Sequence, residues 1–217
     1  MLPASDGVGT SPFAQITSLH DRDGVPPRER SSKCGPPFAR AMRREPLAGE
    51  RVSLRPLGRE HLARCVVWFN DREVTYFLGR EEPLTMAEEE RWFNDYRAKV
   101  DEEIYAIEVQ GNHVGNVGLH GIDRSNRKAS VGIVIGEKGQ WSQGYGTDAM
   151  RTILRYAFRD LRLHKVNLDV LDYNDRAIRM YEKCGFIREG IRRDELWKRG
   201  RFANLVRMSI LENEFSA

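Results

Sequence analysis

Cysteine is scarce in this chain of 217 residues: there are three, Cys34, Cys65 and Cys184. They lie far apart and lack the paired spacing of a metal site or a disulfide framework. An odd number of dispersed thiols is expected of a reducing compartment, here the cytoplasm. Histidine is also sparse. The five do not cluster, and His61 and His164 read as surface or helix-end residues and not as ligands, so no metal is expected. Long apolar runs are missing: nothing approaches the roughly 18 residues of a membrane span, so no membrane partner is expected. No charge of one sign dominates either. The formal net charge is +3, and basic and acidic residues are interspersed, which argues against a nucleic-acid partner. Proline is nearly absent after position 46, since seven of the nine lie at or before it.

Those prolines, with Gly, Ser and Arg, fill residues 1–45, where no apolar period is visible. Such a segment buries too little surface to offset its ordering entropy and is expected to be a disordered extension. It carries Asp6, Asp21 and Asp23 and no apolar stretch, so neither a secretory nor a mitochondrial signal is expected. Met42, just before the folded part, is an alternative start. Residues 46–217 are expected to form one domain, in a chain 40% hydrophobic and 31% charged.

Within that domain the hydrophobic period changes repeatedly. Arg51 to Arg55 alternates like a strand, whereas Leu62, Cys65, Val66 and Phe69 follow helical spacing. Thr85 to about Val100 predicts a second helix, with Thr85 as N-cap, Glu88 as its capping-box partner and a Trp92, Phe93, Tyr96 stripe. Tyr105 to Val109, Val114 to Leu119 and Ala129 to Ile135 predict three antiparallel strands, the first two joined by a turn at Gly111-Asn112. Val131, Ile133 and Ile135 share one face of the third. Met150, Ile153, Leu154, Ala157, Phe158 and Leu161 mark a long helix. Val166, Leu168 and Val170 return to strand alternation. Asn174 caps a short helix bearing Ala177, Met180 and Tyr181, which Gly185 ends. Strand-like runs near Phe186 to Glu189 and Phe202 to Ile210 close the chain. The expected class is α/β (α+β), a mixed sheet with helices on its faces.

Two segments carry chemistry. Trp141-Ser142-Gln143-Gly144-Tyr145-Gly146-Thr147 lies between a strand and the long helix. Glycines there let the backbone curl so that N–H groups converge, and the helix N-terminus adds partial positive charge, a combination suited to a phosphate or pyrophosphate. Gly144 to Ala149 also fits G-x-G-x-x-A. The dinucleotide fold needs that turn straight off a strand, however, and here Gly136 to Gln143 intervenes. The second segment, Asn174 to Phe186, reads N-x-x-A-x-x-x-Y-x-x-x-G-F.

In this order the two segments resemble the signatures of the GNAT acetyltransferase superfamily, and the likeness covers about Arg51 to Ile210. Arg51 to Leu57, Gly115 to Leu119 and Trp141 before the loop resemble its branch of ribosomal-protein N-terminal and spermidine acetyltransferases. That branch often has Gly-Lys where Ser142-Gln143 stands here, so phosphate contact is expected to rest on backbone amides. The resemblance implies a mostly antiparallel sheet that splays between the fourth and fifth strands. It implies acetyl transfer from acetyl-CoA to a primary amine, on a small molecule or a protein N-terminus. Ile133, Val134 and Ile135 would line the pantetheine arm like an added strand. Gln143, Gly144, Tyr145, Gly146, Thr147 and Asn174 would complete the cofactor site. A backbone N–H near Val134 or Ile135 would serve the oxyanion, and Tyr181 would be the general acid for the leaving thiolate.

The amine must lose a proton before it attacks. His120, Asp123, Glu137 or a water chain could accept it, and each of the three side chains also reads as an ordinary turn or surface residue. The acidic cluster Glu81-Glu82 and Glu88-Glu89-Glu90 could attract a polyamine, or be a solvated helix face. A non-catalytic acyl-CoA-binding module on the same fold is the alternative to an enzyme. The acceptor and the oligomeric state, a homodimer included, stay open.

Overall fold

The computed structural model describes residues 45–79 and 82–216. The expected N-terminal extension, Cys34 and Glu81 lie outside the described residues. Eight strands form one sheet: β1 (Leu47–Ala48), β2 (Ser53–Pro56), β3 (Glu103–Val109), β4 (Asn112–Asp123), β5 (Lys128–Ile135), β6 (Lys165–Leu171), β7 (Ile187–Lys198) and β8 (Arg201–Leu211). Their spatial order is β1-β2-β3-β4-β5-β6-β8-β7. Every pairing is antiparallel except β5 with β6. That one parallel pair needs a crossover, supplied by α3 (Tyr145–Arg159). The other helices are α1 (Leu62–Phe69), α2 (Met86–Ala98) and α4 (Asp175–Lys183).

The helices cover opposite faces of the sheet. Met150, Ile153, Leu154 and Ala157 of α3 are fully buried among Val117, Leu119, Val131, Val166 and Leu168, and α4 adds Ile178 and Tyr181 to this core. On the other face α1 and α2 bury Leu62, Cys65, Trp68, Phe93 and Tyr96 against Ile104, Ala106 and Val134. Alternation along β5 sends Val131 and Val134 to these two different cores. Thr85 caps α2 as its sequence predicts: its hydroxyl accepts from Glu88 N while Glu88 Oε2 accepts from Thr85 N.

The structure differs from the sequence reading in four places. The β3–β4 turn is Gln110-Gly111, both with positive φ (50° and 77°), and Asn112 already pairs with Val109. β7 runs on to Lys198, well past Glu189, although its charged sequence hides it. An edge strand exposed on both faces has no need to alternate. His61 ends a short 3-10 turn but is not at the surface: it is buried, and its Nδ1 accepts from Gly58 N at 2.9 Å. The short β1 was not expected. Glu50 N, Arg51 N and Val52 N donate to the buried carboxylate of Asp148 (3.1, 2.7 and 3.0 Å), which fixes the β1–β2 turn on the first turn of α3.

Candidate active site

The site follows from how far β5 and β6 stay paired. Their register covers Lys128↔Lys165, Ala129↔Val166 and Ser130↔Asn167, and stops there, with Ser130 Oγ and Asn167 Oδ1 2.9 Å apart. Beyond that rung Val131–Ile135 keeps its pairing with β4, and Leu168–Leu171 keeps its pairing with β8. The two facing edges diverge around a cavity of about 420 Å³. Its size is usual for a small-molecule site. The splay expected between the fourth and fifth strands is therefore present, numbered β5 and β6 because of β1.

At one end the cavity meets the loop before α3. Ser142 (φ 60°) and Gly144 (φ 87°) both adopt the left-handed region, so the chain curls twice before the helix begins. This is the backbone form in which successive N–H groups face one side. Gly144 has an open position, whereas Ser142 takes the strain with a side chain. Trp141 Nε1 donates to Ile135 O at 2.7 Å and anchors the loop to the end of β5. Arg51 donates to Gln143 O at 2.6 Å, and its guanidinium lies 4.5 Å over the Tyr145 ring, tying the loop to the start of β2.

Of the residues singled out by sequence, Ile133, Val134, Ile135, Gly144, Tyr145, Gly146, Thr147, Asn174 and Tyr181 all line the cavity. Gln143 does not. Its side chain is exposed and folds back to donate to Gly139 O at 2.7 Å. Asn174 has a second task, accepting from Ala177 N at 3.2 Å as the cap of α4. Tyr181 is buried beside Phe186, with ring centroids 5.7 Å apart. Among the described residues its hydroxyl has no hydrogen-bond partner, although its edge reaches the cavity. Burial, then the nearby Cys184 thiol, push its pKa well above the ordinary tyrosine value, so it stays protonated at neutral pH.

The three candidate bases do not line the cavity. His120 is buried in β4, its Nδ1 3.9 Å from Glu102 Oε2. Asp123 holds the β4–β5 turn by accepting from Asn126 N and Nδ2 at 2.9 and 2.6 Å, and these bonds lower its pKa, which makes it a weaker base. Glu137 precedes the 3-10 turn Lys138–Gln140. The acidic cluster is largely committed elsewhere: Glu88 caps α2, Glu89 is buried at 1% exposure and Glu90 lies 4.0 Å from Arg59.

Sequence reasoning missed three features. Arg176, Arg179 and Lys183, at i, i+3 and i+7 of α4, all line the cavity, and Arg176 lies 4.5 Å over the Trp141 ring. Their helical spacing was the available signal. Asp169 of β6 lines it too, held bidentate by Arg207 at 2.7 and 2.7 Å. The wall at the other end comes from Val74, Phe77 and Leu78, and no local motif marks that segment. No helix among the described residues is long and apolar enough to cross a membrane.

Comparison with known proteins agrees with this geometry. The family model described as the acetyltransferase (GNAT) domain matches residues 51–187. The spermidine N(1)-acetyltransferase of Vibrio cholerae is 30% identical over 166 residues, covering 76% of this chain and 95% of that protein. The putative ribosomal N-acetyltransferase YdaF of Bacillus subtilis is 29% identical, covering 75% of this chain and 90% of that protein. A crystal structure of spermidine N-acetyltransferase from Vibrio cholerae in complex with CoA and spermine superposes with a TM-score of 0.72, covering 76% of this chain and 97% of that one. The chain belongs to the GNAT acetyltransferase family, and it is an enzyme that moves an acetyl group from acetyl-coenzyme A to an amine.

Proposed function

We propose that residues 46–217 form the whole catalytic unit and that its parts act as follows. The curled Ser142–Thr147 backbone and the N-terminus of α3 receive the pyrophosphate of acetyl-CoA. The α4 cations Arg176, Arg179 and Lys183 supply the counter-charge that the loop lacks, since Gln143 stands where a lysine is common and points away. The unpaired edge of β5 at Ile133–Ile135 holds the pantetheine arm as a strand would, with Asn174 facing it. A backbone N–H near Val134 or Ile135 stabilises the oxyanion, and Tyr181 gives its proton to the departing thiolate. No residue is needed to hold a metal. The enzyme acts in the cytoplasm on a free amine, of a small molecule or a protein N-terminus.

The observation that carries this assignment is the cavity at the β5–β6 splay, which joins the loop before α3 to Tyr181. Among the described residues that line it there is no histidine, and the one carboxylate, Asp169, is ion-paired. The amine's proton therefore leaves through water in the cleft. A free alkyl amine has a pKa of about 10. With chemistry rate-limiting, kcat/KM should climb with pH towards the acceptor's own pKa, measured as free thiol released from acetyl-CoA. A plateau above about pH 7 that disappears in His120→Gln would instead make His120 the base.

A further inference from the structure

Helix α4 packs Ile178 and Tyr181 into the core and leaves Arg176, Arg179 and Lys183 exposed along the cavity. These three are the only cations among the described residues that line it. The one lining carboxylate, Asp169, is held by Arg207 at 2.7 Å and lies 3.4 Å from Arg192. Arg176 rests 4.5 Å over the Trp141 ring. The side chains of Arg179 and Lys183 make no ion pair, hydrogen bond or ring contact among the described residues. The acids of their own helix do not neutralise them: Glu182 pairs with Arg188 at 2.8 Å, and Asp175, one turn before Arg179, forms no ion pair with it. Like charges at i, i+3 and i, i+4 disfavour a helix, and a bound anion would reverse that cost.

The row is too long for one pyrophosphate. Seven residues of helix rise about 10 Å, whereas the two phosphorus atoms of a pyrophosphate share a single bridging oxygen. Its two ends also lie at different places. Arg176 stands at Trp141, where the loop begins. Lys183 stands farther along α3: its carbonyl accepts from Arg151 Nη2 at 3.3 Å, and the adjacent Cys184 Sγ lies 3.9 Å from Thr147 O. Acetyl-CoA carries a third phosphate, a monoester on the ribose 3′-oxygen, with a charge of about −1.5 to −2 at neutral pH.

We propose that Arg179 and Lys183 receive this 3′-phosphate, so that the enzyme distinguishes acetyl-CoA from its 3′-dephospho form. This placement rests on the cofactor assignment above, in which the Ser142–Thr147 backbone takes the pyrophosphate. Arg179 presents a planar fork to two phosphate oxygens, and Lys183 adds a compact charge one turn on. The opposite end, walled by Val74, Phe77, Leu78 and Leu171, has no cation among its described lining residues and is left to the acceptor.

The test titrates the full chain with acetyl-CoA and with 3′-dephospho-acetyl-CoA, which differ by that one group. The wild-type protein should bind acetyl-CoA on the order of tenfold more tightly, a modest ratio because both cations are exposed and screened by salt. Combining Arg179→Gln with Lys183→Gln should bring the ratio close to one, through weaker binding of acetyl-CoA alone. Affinity for the dephospho form should hold, which also shows that the variant is folded. Lys183→Gln by itself should give an intermediate ratio. Equal binding of the two ligands by the wild-type protein would overturn the inference and leave the cofactor assignment standing. Equal weakening of both ligands in the double variant would overturn it too, returning the two cations to the pyrophosphate. If the wild-type protein binds neither ligand, the cofactor assignment fails and the inference with it.

Discussion

The two ends of the cavity, the one proposed for the cofactor and the one proposed for the acceptor, are built in opposite ways. The cofactor end comes from a nearly continuous stretch, β5 through α4, in which the backbone does most of the holding: a strand edge, a curled loop and a helix N-terminus. The end proposed for the acceptor is walled by Val74, Phe77, Leu78 and Leu171, and Lys198 of the β7–β8 hairpin donates to the Leu78 carbonyl across 120 positions. Side chains do the work there. Backbone-built binding tolerates sequence change and leaves fixed glycine spacings, so one motif can serve many acceptors. A side-chain wall gathered across the fold leaves no spacing at all, and it is where one family member can differ from the next.

Tyr181→Phe should have the largest effect, because it touches the chemistry that both ends share. Loss of a general acid typically costs about 10²–10⁴-fold, and a thiolate is a fair leaving group, so kcat should fall about 10²-fold. Acetyl-CoA affinity and melting temperature should hold, since the hydroxyl has no hydrogen-bond partner among the described residues. A melting temperature that falls along with kcat would show that the hydroxyl is structural.

Gly146→Ala separates cofactor approach from folding. A Cβ at Gly146 would meet only Ile135 Cγ1, at 3.7 Å, an ordinary contact. In the first turn of α3 alanine should leave the melting temperature unchanged or raise it slightly. The methyl group would still stand where the pyrophosphate must approach, so acetyl-CoA should bind about tenfold more weakly, a loss of about 1.4 kcal/mol by titration. Normal binding would remove the loop from the cofactor site.

Lys198→Met probes the acceptor end alone. It removes the ammonium that ties the hairpin to the Thr75 and Leu78 carbonyls while keeping much of the side-chain volume. Acceptor KM should rise several-fold with acetyl-CoA affinity unchanged. If both affinities drop together, the two ends are one mechanical unit and the contrast between them is false.

The same contrast explains what the sequence discloses. The β5, α3, β6 and α4 elements, the cap at Asn174 and the stop at Gly185 (φ 96°) are legible because each is set by neighbours within a few residues. Only the start of β7 is legible; its charged remainder past Glu189 is not, because it gains its structure from β8 and leaves Ile191 and Trp197 largely exposed. Nothing beside Asp148 in the sequence marks its role, because the three N–H groups it accepts come from the β1–β2 turn, about 100 positions away. Gln143 belongs to the motif, yet its side chain turns to Gly139, which no spacing could show.

The smallest effect should come from starting the chain at Met42. The preceding segment holds six of the nine prolines and shows no apolar period, so it has little surface to bury against the domain. The truncated protein keeps Leu47 and Ala48, the strand they form beside β2, and the Asp148 clamp behind them, so the first described strand loses no partner. Melting temperature, acetyl-CoA affinity and turnover should match those of the full chain. The three readouts separate the ways of being wrong. A lower melting temperature would place the segment on the domain surface. A change in acceptor KM alone would make it part of the acceptor wall, which already draws on distant pieces of sequence. A change in acetyl-CoA affinity alone would count most heavily against the contrast, because the cofactor end would then also depend on chain far from its motif.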